Sequence, residues 1–199
     1  MRALVTYIQL ASSRIWWATT SVFSNLLFFL LGIQHSGWIQ FFGIPIVRIS
    51  KKSRFVIGKN CKFRSSQASN LIGLNRRCTV YVHQNASLTI GNNCGFSAIS
   101  VGCFEDISIG NNVRVGANTT ITDSDWHASD SRTGGPKPVR IGNDVWIGAN
   151  VMVLKGVSIG NNVIIGAGSI VSTGIPDNCI AVGNPCQVKK QIKPEDEKE

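Results

Sequence analysis

A parallel β-helix, an all-β coil of short stacked strands, is the fold this sequence predicts, on two observations. The first is a strict interval of six between Ile141, Ile147, Val153, Ile159, Ile165 and Val171, with Gly142, Gly148, Gly160 and Gly166 following four of them. A helix repeats its apolar positions every ~3.6 residues and a half-buried strand every two. A period of six fits neither, but it fits strands joined by tight corners of Gly, Ala or Asn, residues that tolerate strained backbone. The second observation is that the period fails between Ile121 and Ile141, where a polar stretch rich in turn formers intervenes.

The chain of 199 residues divides into an N-terminal segment over residues 1–50, a β-helix over 51–176 interrupted by a loop at 122–139, and a C-terminal segment with a charged tail over 177–199. Its 20 basic residues against 11 acidic ones give +9, which invites an anionic partner. No zinc finger, basic helix or aromatic RNA-binding signature is present, so nucleic acid is not expected. Phosphorylated cofactors and anionic membrane surfaces remain. The six cysteines form no C-x-x-C pair. Cys61 and Cys94 occupy the slot that Val113 fills in a matching repeat, so they read as small inward-facing hydrophobes. Structural, reduced cysteines point to the cytoplasm.

Between Ile15 and Val47 there is no Asp, Glu, Lys or Arg. Leu4, Ile8, Ile15, Thr19 and Val22 sit near helical spacing, and Trp16 and Trp17 beside Arg14 suit a membrane headgroup zone. A signal peptide is disfavoured by the long charged start and the lack of a small-residue cleavage site. A membrane span is weakened by Ser21, Ser24 and Asn25. The expected arrangement is a helix or hairpin lying in the interface, broken near Gly32; the alternative is a helical cap on the first coil. Arg48, Lys51, Lys52 and Arg54 follow, as suits a segment facing anionic lipid.

The repeat is expected to start near Phe55 and to make about six coils of roughly 18 residues. After Gly174-Ile175-Pro176 the coil ends, and Pro194–Glu199 is expected to be disordered. Of three histidines, His35 and His83 read as surface or packing residues. His127 stands in the polar interruption beside Asp123, Asp125 and Trp126, and histidine is the usual general base at neutral pH.

Taken together, the repeats, Asp125-Trp126-His127, Asn143-Asp144-Val145-Trp146-Ile147-Gly148 and Gly183-Asn184-Pro185-Cys186 resemble the hexapeptide-repeat acyltransferases. Within them the pattern is most similar to the maltose, galactoside and colanic acid-type O-acetyltransferases, from about Arg54 to Lys190. The N-terminal region resembles extensions of polysaccharide-modifying members. The resemblance implies an all-β, left-handed parallel β-helix with an N-terminal helical extension, a homotrimer with active sites between subunits, and acetyl-CoA as co-substrate without a metal. It assigns His127 as the base that takes a proton from a sugar hydroxyl, in direct transfer without a covalent enzyme intermediate. Backbone contacts to the pantetheine arm fall at Ala149 and Ala167, and Trp146 walls the groove. The family's Thr-Lys pair falls on Ser172 and Thr173, so its lysine is absent. Its two C-terminal basic residues fall on Gln187 and Lys190, so one is changed; Lys189, Lys190 or Lys155 are the residues that could compensate. The acceptor-binding asparagine aligns near Ser97, and Asp125, rather than Asp123, is expected to orient His127 or hold the acceptor.

The expected function is acetyl-CoA-dependent O-acetylation of a saccharide, free or lipid-linked, in surface polysaccharide or lipopolysaccharide assembly. The expected location is the cytoplasm, at the inner membrane face, with peripheral contact through residues 1–50. Competing readings are a serine, aminosugar or antibiotic acceptor, a non-enzymatic scaffold, and a metalloenzyme like the γ-class carbonic anhydrases. The last needs three histidines per metal with two close in sequence, whereas His83 and His127 are 44 residues apart.

Overall fold

The computed structural model describes residues 2–127, 130 and 132–193, without the side chains of residues 2–10; the tail Pro194–Glu199, expected to be disordered, lies outside the described residues. Helix α1 (Arg2–Leu30) comes first, and six triangular coils follow. The first holds β1 (Gln34–His35), β2 (Gln40–Phe42) and β3 (Ile46–Ile49); the second β4 (Arg54–Ile57), β5 (Lys62–Arg64) and β6 (Thr79–Val82). The third holds β7 (Ser87–Ile90), β8 (Gly95–Ser97) and β9 (Ser100–Cys103); the fourth β10 (Asp106–Ile109), β11 (Arg114–Val115) and β12 (Thr120–Thr122). The fifth holds β13 (Val139–Ile141), β14 (Trp146–Ile147) and β15 (Met152–Val153); the sixth β16 (Ser158–Ile159), β17 (Val163–Ile165) and β18 (Ile170–Val171). Then β19 (Cys179–Val182) extends the second sheet and β20 (Gln187–Gln191) closes it antiparallel.

Each coil contributes one strand to each of three parallel sheets. The register is strict, so the apolar period becomes three inward columns. Ile57, Ile90, Ile109, Ile141 and Ile159 line the first sheet. Phe41, Phe63, Phe96, Val115, Ile147 and Ile165 line the second. Val47, Val80, Val101, Ile121, Val153 and Val171 line the third. Nearly all are fully buried, each worth ~1.5–3 kcal/mol of transfer free energy.

The corners explain the glycines and asparagines. A Cβ on Gly110 would stand 2.5 Å from the Gly142 carbonyl oxygen, and one on Gly142 2.6 Å from that of Gly160. Beside this column the side-chain oxygens of Asn92, Asn111, Asn143, Asn161 and Asp177 each accept a backbone N–H from the preceding coil. From the second coil on, the next corner position is left-handed: Asn60, Asn93, Asn112, Asp144, Asn162 and Asn178 have φ between 53° and 60°. Asn and Asp tolerate that conformation best after glycine.

Two boundaries differ from the sequence-based ones. The first coil occupies residues 34–49, inside the segment set at 1–50, because its strands carry no six-residue glycine signature. A second excursion, residues 65–78 between β5 and β6, breaks the coil as the 122–139 loop does.

Helix α1 is a cap, and an inverted one. Its polar seam faces the coil: Thr20 and Ser21 donate to the Phe41 carbonyl at 2.9 and 3.0 Å, Asn25 donates to Ile39 O at 2.8 Å, and Ser21 and Asn25 accept the Phe41 and Ile39 amides. These bonds satisfy the unpaired edge of β2, which would otherwise invite another strand. Phe28 inserts into the open end of the core, 4.9 Å from Phe41, and Gly32 (φ 71) ends the helix with Ile33 N bonded to Phe28 O at 2.9 Å. The outward face is apolar: Ile15, Trp16, Val22, Phe23, Leu26, Phe29 and Leu30 are all more than half exposed. No helix among the described residues is long and apolar enough to cross a membrane.

Replacing Gly110 by Ala is expected to destabilise the coil by ~1–3 kcal/mol, read as a lower urea midpoint. Gly95→Ala, where a Cβ meets nothing within 4 Å, is the near-neutral control.

Candidate active site

The loop bearing His127 leaves the prism at the corner between the third and first sheets, after β12. Asp123 builds its root: fully buried, its carboxylate accepts the amides of Phe104, Glu105 and Asp106 at 2.7–2.9 Å. Asp123 is thus occupied in a turn clamp. Ser124 Oγ accepts the Trp126 amide, and the Trp126 indole N–H donates to Thr122 Oγ1 at 3.0 Å. Trp126 adopts φ 66, a left-handed conformation costly for a bulky residue, and its ring covers Gly102. This kink throws His127 outward: its side chain is exposed, and its carbonyl accepts Asp130 N at 3.0 Å and Thr133 Oγ1 at 3.1 Å.

Asp125 does not reach the imidazole; its carboxylate pairs with Lys155, whose ammonium also donates to the Thr133 carbonyl. That pair staples the loop to the coil below. Lys155 is therefore committed to the loop, and among the compensating lysines Lys189 and Lys190 stand on β20, both exposed.

The residues matched to the pantetheine arm gather at a different corner, between the second and third sheets. Ala149 and Ala167 stack directly: Gly168 N bonds to Ala149 O at 2.8 Å, and a Cβ on Gly148 would lie 2.6 Å from Ala167 N. Trp146, 57% exposed on β14, stands just before this corner. The corner continues upward through Ala117 and Ala98, which Leu74 of the second excursion covers. The open part of the column thus begins at Ala149, half-buried, and Ala167, exposed. The same excursion reaches Ser97, whose hydroxyl accepts Asn70 Nδ2 at 3.2 Å. Ser97 and Trp146 share a groove of about 460 Å³ with Lys62, Arg64 and Arg114, and among the described residues no carboxylate lines it. Ser172 and Thr173 are exposed at the third-to-first corner on the last coil, and Gln187 opens β20 opposite Val182.

In one protomer, then, the structure brings Trp146, Ala149 and Ala167 together, with Ser97 nearby, and sets His127 across the width of the third sheet from them. Sequence reasoning missed the 65–78 excursion, whose Asn70, Leu74 and Arg76 carry no repeat. It also missed the packing of Tyr81, His83 and Phe104 against Trp126. The six cysteines are free and buried. Burial raises the Cys78 thiol, and burial together with the Asp123 carboxylate pushes Cys103 up to about 12, so both stay thiols at neutral pH.

Comparison with known proteins agrees with this geometry. Residues 138–173 match the family described as bacterial transferase hexapeptide (six repeats). The galactoside O-acetyltransferase of Lactococcus lactis is 38% identical over 154 residues, covering 75% of this chain and 69% of that one. That of Escherichia coli is 37% identical over 123 residues, 59% and 60% of the two chains. Among solved structures, the polySia-specific acetyltransferase NeuO superposes with TM-score 0.54 at 22% identity, over 84% of this chain and 90% of its own. The Bacillus cereus N-acyltransferase AntD superposes with TM-score 0.64 at 19% identity, over 86% and 90%. At those identities the likeness is one of fold. The chain is a left-handed parallel β-helix. By its Lactococcus relative it belongs to the hexapeptide-repeat acetyltransferases, the family of the galactoside O-acetyltransferases.

Asp123→Ala leaves three part-buried amides without their acceptor and is expected to cost ~1–3 kcal/mol, with faster hydrogen exchange at residues 104–106.

Proposed function

We propose that this protein transfers acetyl from acetyl-CoA to a hydroxyl of a saccharide, with His127 as general base. One observation carries the reading. His127 is exposed at a kinked, well-anchored loop root, facing away from the coil, with its backbone rather than its ring held. The Ala149–Ala167 column suits the pantetheine arm, since larger corner side chains would fill the approach. His127 accepts the hydroxyl proton as the hydroxyl oxygen bonds to the thioester carbon; as the C–S bond breaks, His127 returns that proton to the departing sulfur. Such base catalysis contributes about 10²–10⁴-fold, with positioning supplying much of the remainder.

The same geometry supports a homotrimer with shared sites. His127 and the Ala149 corner lie on different edges of one prism, so a site that uses both needs the His127 edge of one copy against the Ala149 corner of the next. Asp125 acts as a positioning residue through Lys155. Ser97 serves the acceptor, Ser172 and Thr173 flank the far coil, and Gln187 and Lys190 stand where the nucleotide end would lie.

The exposed apolar face of α1 supports docking on the cytoplasmic face of a membrane, where a lipid-linked saccharide of surface polysaccharide assembly would be met. Seven apolar side chains point away from the seam that holds the helix, and no packing requirement of the coil places them there.

The acetyltransferase reading predicts acceptor-dependent CoA release that falls by about a hundredfold or more in His127→Ala. Unchanged release would remove His127 from the mechanism. For the membrane contact, Phe23→Ser, Leu26→Ser and Phe29→Ser together keep the capping seam intact. The triple variant is expected to fold and to move from the membrane to the soluble fraction of cells, and retention at the membrane would refute the contact.

A further inference from the structure

A cavity of about 560 Å³ lies on the outer face of the third sheet immediately beside the His127 loop. That volume falls in the range of ~300–1,000 Å³ typical of small-ligand sites. Its floor is aromatic. Tyr81 and Phe104 have centroids 5.5 Å apart, Phe104 and Trp126 meet edge to face at 4.9 Å, Tyr81 and Trp126 stand 5.9 Å apart, and His83 stacks on Phe104 at 5.2 Å.

This floor is built rather than incidental. The outward file of the third sheet runs Arg48, Tyr81, Gly102, Thr122 in register. Gly102 leaves a gap in that file, and the Trp126 ring fills it: a Cβ on Gly102 would stand 2.2 Å from the indole. Thr122 then anchors the indole nitrogen. None of this serves the core, which lies on the other side of the sheet, and Trp126 remains 53% exposed.

Polar groups stand among apolar ones at its edge: the Tyr81 hydroxyl bonds His83 Nδ1 at 2.9 Å, Thr79 and Arg48 join Ile46 and Val80 in the lining, and among the described residues no carboxylate lines the cavity. A flat aromatic floor with hydrogen-bonding groups around it matches a pyranose ring, whose C–H face seeks the negative face of an aromatic ring while its hydroxyls point outward.

We propose that Tyr81, His83, Phe104 and Trp126 form a stacking shelf for a second sugar ring of the acceptor, one unit along from the ring presented to His127. This rests on the acetyltransferase reading and sharpens its substrate class: an oligosaccharide rather than a monosaccharide.

The test compares tetrasaccharides of galactose, glucose and mannose, each against its own monosaccharide, in acetyl-CoA-dependent CoA release and in quenching of tryptophan fluorescence. Wild type is expected to show a KM at least tenfold lower for one tetrasaccharide than for its monosaccharide. Tyr81→Ala and Phe104→Ala are expected to bring that ratio towards 1, with the change confined to the saccharide KM. Equal KM values in wild type, or no quenching by any tetrasaccharide, would overturn the shelf. Dissociation of the oligomer by Tyr81→Ala would also overturn it, showing that the rings are a subunit contact. Failure of the chain to bind acetyl-CoA, measured separately by calorimetry, would instead count against the acetyltransferase reading.

Discussion

Everything in this molecule depends on coils stacking in strict register. Each coil hands its backbone amides to the next, and each asparagine at the first corner accepts one amide from its neighbour, from Asn92 through Asn161 to Asp177. The contact is so close that the Gly110 and Gly142 positions admit no Cβ. A scaffold of this kind bends little, and excursions such as 65–78 and the His127 loop are where chemistry can be added without disturbing the stack.

The stack has an end, and the end must be closed. An exposed strand edge carries unpaired amides and carbonyls, and an open core exposes phenyl rings. Helix α1 answers both needs with unusual assignments: Thr20, Ser21 and Asn25 face inward to bond the β2 backbone, and Phe28 plugs the core. Its remaining apolar residues then have nowhere to go but outward. Ser21 and Asn25 argue against a membrane span at the level of sequence, and in the fold they are the seam. The cap and the surface-docking readings of this stretch are therefore compatible, since they use opposite faces of one helix.

The repeats, the parallel coil, the inward cysteines and the position of the loop between Thr122 and Val139 were all legible, because each follows from residues near in sequence or at a fixed period. The first coil was not, since Gln34 to Ile49 lacks the Ile-Gly signature and borrows its stability from α1. Lys155 looked available for a cofactor phosphate until the fold placed it against Asp125. Tyr81, His83 and Phe104 read as ordinary outward residues, and only the gap at Gly102 and the kink at Trp126 gather them into one floor.

By itself, then, the sequence determined the architecture and singled out the residue proposed as the base. A six-residue period can bury its apolar edge in only one kind of stack, and His127 stands out as the histidine in a polar break of that stack. Tertiary structure alone decided which surfaces face one another. It set His127 and the Ala149–Ala167 corner on separate edges of the prism, turned the polar side of α1 inward, and assembled an aromatic cluster from two coils and a loop. These are relations between residues far apart in the chain, fixed by the radius and register of the coil, and no local pattern encodes them.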